Sequence, residues 1–257
     1  MKRSLMAVLP VFAAIFIAAV PGNAQKATPT AVAGKLPSAQ EVIARYEQAV
    51  GGKAAWDKLH SRVRKGTIEF TEVGMKGTVQ LEEQAPNKLL LIAEVPGLGE
   101  FRRGFDGTIG WAEDPQGGTR IMTGNELADT RREADFYMPL RLMDLYPKMD
   151  VTGEQKLDGR AVYEVKGMTS DGASRTFDFD AKSGLLVRLA GEASSTDGKY
   201  QVELFLEDYK VFNGVMLPTV HRQTSPVPLL MHFTDVEQNV ALPDAAFMSP
   251  RKDVAPQ

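Results

Sequence analysis

Three histidines, His60, His221 and His232, are the residues best suited to hold a metal or move a proton at neutral pH. No two are spaced His-x-x-x-His, the arrangement that turns two imidazoles on one helix face toward one ion. His221 and His232 fall on segments expected to be neighbouring strands, yet no third ligand accompanies them, so each is read as a packed or surface residue. Asp178, Asp180, Lys182 and Gly184 start like a calcium loop, but the twelfth position, which needs a carboxylate, is Leu189. A hairpin turn is expected there instead. Gly51-Gly52-Lys53 lacks the spacing and the Ser/Thr of a phosphate-binding loop. Gly97 and Gly99 precede a strand rather than a helix, against a dinucleotide site. No serine stands in a Gly-x-Ser-x-Gly elbow. The chain has no cysteine, which excludes disulfides, thiol catalysis and cysteine-held metals. No cofactor or metal is therefore expected. A hydrolase built on Asp178, Asp180 and His221 remains as the catalytic alternative.

The surroundings of these residues are a series of short strands punctuated by Asx-Gly pairs at 106–107, 158–159, 171–172, 197–198 and 213–214. Such pairs favour tight hairpins because both residues tolerate positive φ. Before them, Lys2 and Arg3, the apolar run Leu5–Val20 and the small residues Gly22 and Ala24 read as a signal peptide over 1–24, cleaved near Ala24. The run is 16 residues long and contains Pro10, short of the roughly 20 that a membrane-spanning helix needs. Export to the periplasm of a bacterium with two membranes is expected, with no lipid anchor because the acylated cysteine is missing. The whole chain carries a net charge of −3, and losing Lys2 and Arg3 makes the remainder more acidic. An acidic surface argues against nucleic acid and against anionic membranes as partners.

Residues 25–37, rich in Ala, Thr and Pro, form an expected flexible leader. Ser38 and Glu41 match a capping box, and Ala39, Val42, Ile43, Tyr46 and Val50 form one helical stripe ended by Gly51-Gly52. A second short helix is expected over Lys53–His60. Strands follow at Arg62–Thr71, around Val79 and Leu81, at Leu89–Val95, and from Phe101 to Trp111. Leu89–Val95 is apolar on both faces, as in a strand covered on both sides. Thr123–Tyr146 interrupts them with two helices, the first marked by Leu127, Arg131, Ala134 and Met138, the second beyond Pro139. Strands resume at Val162–Val165, Thr176–Asp180, Leu185–Leu189, Tyr200–Leu206, Val215–Val220 and Leu229–Phe233. Connections this short make the sheet an antiparallel meander. The segment from Phe136 to Met149 is rich in Leu and Met, which suits either packing on the sheet or an adaptable lid.

This order resembles the LolA/LolB-like superfamily, and most of all its outer-membrane lipoprotein-sorting proteins. The resemblance rests on an N-terminal helix, a meander, an inserted helical pair and a second meander. It is supported by Pro86-Asn87-Lys88-Leu89, Gly104-Phe105-Asp106-Gly107 with Trp111, Phe179-Asp180-Ala181-Lys182-Ser183-Gly184-Leu185, and Asn239 with Leu242-Pro243-Asp244 and Phe247. The resemblance implies an α+β fold, an antiparallel β-meander forming an open half-barrel with helices covering the concave face. It would occupy 38–250 as a single domain, with 251–257 as a tail. It implies a non-enzymatic periplasmic carrier, similar to the soluble kind because the lipidation cysteine is missing, whose cavity takes a lipid or the acyl chains of a lipoprotein. The lining would be Ile68, Phe70, Val79, Leu81, Leu91, Phe101, Phe105, Trp111, Leu140 and Met143, the same residues that would otherwise fill a core. The alternative is an envelope sensor or interaction module with a filled interior and a membrane-protein partner. A monomer is expected in both.

Overall fold

The computed structural model describes residues 35–195 and 198–251. The expected signal peptide, most of the leader, Asp197 and the end of the tail lie outside the described residues. The first helix, α1 (Ala39–Ala49), starts at the expected capping box. The Ser38 Oγ accepts from the Glu41 N–H at 3.2 Å, and the Glu41 carboxylate accepts from the Ser38 N–H at 2.7 Å. Gly51 ends the helix at φ +111°, where a Cβ would stand 2.4 Å from the Gly214 carbonyl. The second helix, α2 (Gly52–Trp56), is shorter than expected. Turn bonds from Lys58 and Leu59 to Ala55 and Trp56 unwind it early and tuck Leu59 into the core on the way to the first strand.

Six strands follow: β1 (Ser61–Phe70), β2 (Met75–Gln84), β3 (Lys88–Val95), β4 (Gly99–Phe105), β5 (Gly110–Asp114) and β6 (Gly118–Ile121). The insert contains α3 (Gly124–Glu133), a 3-10 turn at Met138–Leu140, and the short α4 (Leu142–Leu145). The second run is β7 (Lys148–Leu157), β8 (Arg160–Met168), β9 (Ser174–Asp180), β10 (Leu186–Ser195), β11 (Gly198–Phe212), β12 (Val215–Ser225) and β13 (Leu229–Gln238). The Asp158-Gly159 and Asn213-Gly214 turns have positive φ at both residues, as tight hairpins require.

All strands belong to one antiparallel sheet, ordered β6-β5-β4-β3-β2-β1-β13-β12-β11-β10-β9-β8-β7. The two meanders fuse where β1 pairs with β13, from Arg62↔Gln238 to Phe70↔Leu229, with a bulge at Lys65/Gly66. Gly66 allows this join, because a Cβ there would lie 1.9 Å from the His232 carbonyl. The sheet stays open. Its edges are β6 and β7, and the helical insert is the connection between them, touching β5 and β10 on the way. The result is an open half-barrel with helices over its inner face.

Two apolar clusters fill much of that inner face. One packs α1, α2 and α4 on Val165, Phe177, Phe179 and Leu186, with Tyr46 and Phe179 ring centroids 5.3 Å apart. The other gathers Ile68, Phe70, Val79, Leu81, Phe105 and Phe233. On the outer face, Leu90, Trp111 and Phe247 form a third, and the Trp111 indole N–H donates to the Phe247 carbonyl at 2.8 Å. This explains why β3 is apolar on both sides: the C-terminal segment covers its back. Phe247→Ala would open a fully buried site, so a loss of about 3–5 kcal/mol is expected. A lowered urea midpoint with unchanged slope checks it; a loss below about 1 kcal/mol would contradict this packing.

Candidate functional site

Cross-strand register decides which expected lining residues meet. Val79 pairs with Ala93 and Ala93 with Phe101, while Leu81 pairs with Leu91, so these share the inner face with Ile68, Phe70 and Phe105. All are buried except Leu91, which is half-buried. Trp111 departs from the set. It pairs with Gly104 across from Leu90, on the outer face, where Arg102 lies 5.3 Å over its ring. Gly104 carries no side chain because the indole occupies that space, 2.4 Å from where a Cβ would be. Leu140 is half-buried against the α1 cluster, and Met143 on α4 is 36% exposed.

Other residues line a partly covered part of the inner face. Leu206 pairs with His221, His221 with Met231, and Met231 with Ile68; the next row holds Leu189 and Leu204. Leu189, Val202, Leu204, Leu206 and Met231 are all half-buried. The alternation of Val202, Leu204 and Leu206 was the sequence signal for them.

The helix over this region, α3, is held mainly by charge. The expected apolar face is only partly realised: Leu127 and Ala134 pack on the second cluster, Arg131 is exposed, and Met138 lies beyond the helix. The buried residues of α3 are Glu126, Asp129 and Thr130, because the sheet meets the helix with arginines. On one flank, Arg120 of β6 grips Glu126 with two bonds of 2.8 and 2.7 Å. Arg103 of β4 meets Glu133 at 2.7 Å and donates to Thr130 at 2.7 Å. On the other flank, Arg175 of β9 reaches Asp129 at 3.0 Å, and Arg132 bridges Asp129 (2.6 Å) to Asp171 (3.1 Å) in the β8–β9 connection. Between this flank and β9–β11 lies a polar pocket of about 430 Å³, lined by residues including Asn125, Arg132, Thr176, Glu192 and Lys199.

Deeper on the inner face, β1 contributes Arg62 and Arg64, whose side chains are 5% and 8% exposed. Glu83 accepts from Arg62 Nε and Nη2 at 2.8 and 2.9 Å and pairs with Arg64 Nη2 at 3.2 Å. His221 Nε2 stands 3.5 Å from Arg64 Nη1, and its ring meets Phe233 edge-on at 5.3 Å. Burial alone would push the Glu83 carboxyl up, but Arg62 and Arg64 outweigh it and hold the group at about 2. Burial of His221, reinforced by Arg64, lowers its pKa from 6.5 to about 3.

The hydrolytic alternative lacks a shared site. Asp178 faces outward between Phe177 and Phe179, bound to Arg188 at 2.5 Å, whereas His221 faces inward. Asp180 accepts from the N–H groups of Lys182 and Ser183 at 3.0 and 2.7 Å, the expected turn. His232 pairs with Val220 and Thr67 and faces away from His221. Among the described residues, no group of three or more His, Asp or Glu could hold a metal, and no helix is long and apolar enough to cross a membrane.

No protein-family model matches the chain, and no curated protein matches it. Solved structures do. A DUF1329 family protein from Desulfovibrio piger superposes with TM-score 0.54 at 15% identity, covering 81% of this chain and 95% of its own. A domain described as an outer membrane lipoprotein-sorting protein, from Vibrio parahaemolyticus, gives 0.54 at 13%, covering 80% and 94%. A LolA superfamily protein from Nitrosomonas europaea gives 0.52 at 13%, covering 83% and 99%. The fold is LolA-like.

Two outcomes follow from the site. The fold holds His221 neutral, so it loses stability as pH drops below 6.5, where the unfolded imidazole protonates, toward about 3. Glu83 adds a loss of the same sign between 4.5 and about 2. Urea midpoints should therefore fall from pH 6.5 to 5 and fall less in His221→Gln; equal slopes would contradict the assignment. Asp129→Asn removes the acid shared by Arg132 and Arg175, and α3 amides should exchange at least about tenfold faster, with β1 amides little changed.

Proposed function

We propose that this protein is a carrier that holds an apolar ligand, a lipid or the acyl chains of a lipoprotein, between the inner face of the sheet and α3. The observation that carries this reading is a partly covered row of Leu189, Leu204, Leu206 and Met231 behind a helix clasped largely by ion pairs. Charges released from such a clasp are rehydrated when the helix lifts, which offsets much of the lost attraction. A lid sealed by apolar packing would expose that surface to water and open less readily. An acyl chain of about fifteen methylenes gains on the order of 10 kcal/mol by burial, at roughly 0.8 kcal/mol each. No conspicuous polar motif is needed for that.

The names of two structural neighbours, a lipoprotein-sorting protein and a LolA superfamily protein, support the reading. The signal-like start supports export to the periplasm, and residues 38–250 would act as one domain and as a monomer. Binding, rather than catalysis, is the role that suits an inner face where His221 meets neither Asp178 nor Asp180. The second reading, a sensor or interaction module, is favoured by one observation: the inner clusters around Phe105, Phe177 and Phe233 are tightly filled. The two differ in what accompanies the protein.

Protein purified from its native compartment should release lipid on solvent extraction, detected by mass spectrometry, and should bind a fluorescent fatty acid once delipidated. Lipid-free protein that binds no probe, yet crosslinks to an envelope protein, would replace the carrier with the module.

A further inference from the structure

The buried cluster on β1 is unbalanced. Among the described residues, Glu83 is the carboxylate that acts on Arg64, against the positive charge of Arg62, and it serves both guanidinium groups. His221 is neutral, so two cations face one anion in a region where unpaired charge is costly. Two donors are left over: Arg62 Nη1 and Arg64 Nε are buried without a hydrogen-bond partner. Gln238, across the strand pair from Arg62, has an unpartnered Oε1, but a neutral amide leaves the charge excess as it is. Aromatic faces supply part of the missing stabilisation. Arg62 lies 5.6 Å over Trp56 and 5.2 Å over Phe136, and Arg64 lies 4.8 Å over Phe233.

Half-buried apolar residues of the inner face stand next to this charge. His221, which contacts Arg64, sits in the row between Leu206 and Met231, and Leu91 is cross-strand from Leu81, the partner of Arg64. A charged end and an apolar path thus adjoin on one face.

We propose that Arg62 and Arg64 form the headgroup site for an anionic amphiphile, whose carboxylate or phosphate takes the leftover donors while its chain runs along Leu206, Met231 and Leu91. This inference rests on the carrier reading and adds the charge of the ligand to it. An anionic head restores neutrality to the cluster and accepts charge-assisted bonds that a neutral ester cannot.

The test is displacement of a fluorescent fatty acid from the delipidated full chain by palmitate, lysophosphatidic acid, methyl palmitate and inorganic phosphate. Palmitate or lysophosphatidic acid should displace the probe at least about tenfold more effectively than methyl palmitate. The stronger of the two identifies the head as carboxylate or phosphate. In Arg64→Gln, whose folding is checked by circular dichroism, this advantage should shrink to about twofold or less, and Arg64→Lys should restore part of it. Equal displacement by palmitate and methyl palmitate in the unaltered protein overturns the headgroup site while leaving the carrier intact. Displacement by inorganic phosphate at concentrations similar to those of the lipids would instead assign a free-anion site and overturn the amphiphile. Binding of no lipid at all removes the carrier reading itself.

Discussion

β1 has two neighbours from opposite ends of the chain: β2, which follows it through a short turn, and β13, which arrives after every other strand. That second pairing turns two meanders into one sheet and makes β6 and β7 its edges. It leaves the chain between those edges, residues 122–147, no route except across the open side. The capping helix, the inner face and the buried arginines of β1 owe their positions to this ladder. Gly66 keeps it possible, since any side chain there would collide with the β13 backbone.

Charge is distributed unevenly over the inner face. Near the opening, each cation from the sheet is answered by an acid on the helix: Arg120 by Glu126, Arg103 by Glu133, Arg175 by Asp129. Deeper in, Arg62 and Arg64 share a single carboxylate. Arg120–Glu126 and Arg103–Glu133 are partly exposed, whereas Arg175–Asp129 is nearly as buried as the Arg62–Arg64–Glu83 cluster, where attraction between charges is stronger. One residue type thus fastens the helix to the sheet and gathers positive charge on β1.

Much of the architecture was legible in the sequence because it follows from local rules. Ser38 and Glu41 announced α1, Asn213-Gly214 and Asp158-Gly159 announced hairpins, and the two-sided apolarity of Leu89–Val95 announced a covered strand. Sequence patterns were weaker where partners are distant. Trp111 alternates with the inner residues only until register is known, and Gly104 together with Phe247 places it on the back of the sheet. The first insert helix, α3, was read by its apolar residues, yet its buried positions are Glu126, Asp129 and Thr130, whose partners lie on β4, β6 and β9. A charge's partner across a fold leaves no periodic trace. For the same reason Arg62, Arg64 and Glu83 passed as ordinary polar positions on strands.

An unclosed sheet has a mechanical property that a closed barrel lacks. The circumference of a barrel is fixed by its ring of ladder hydrogen bonds, so its interior changes size only if some of them break. Here β6 and β7 have no strand beyond them among the described residues, and the sheet can tighten or relax its curl by small twists at each of its strand pairs. The curl of the sheet under α3 can therefore tighten or relax while every rung of the ladder stays intact.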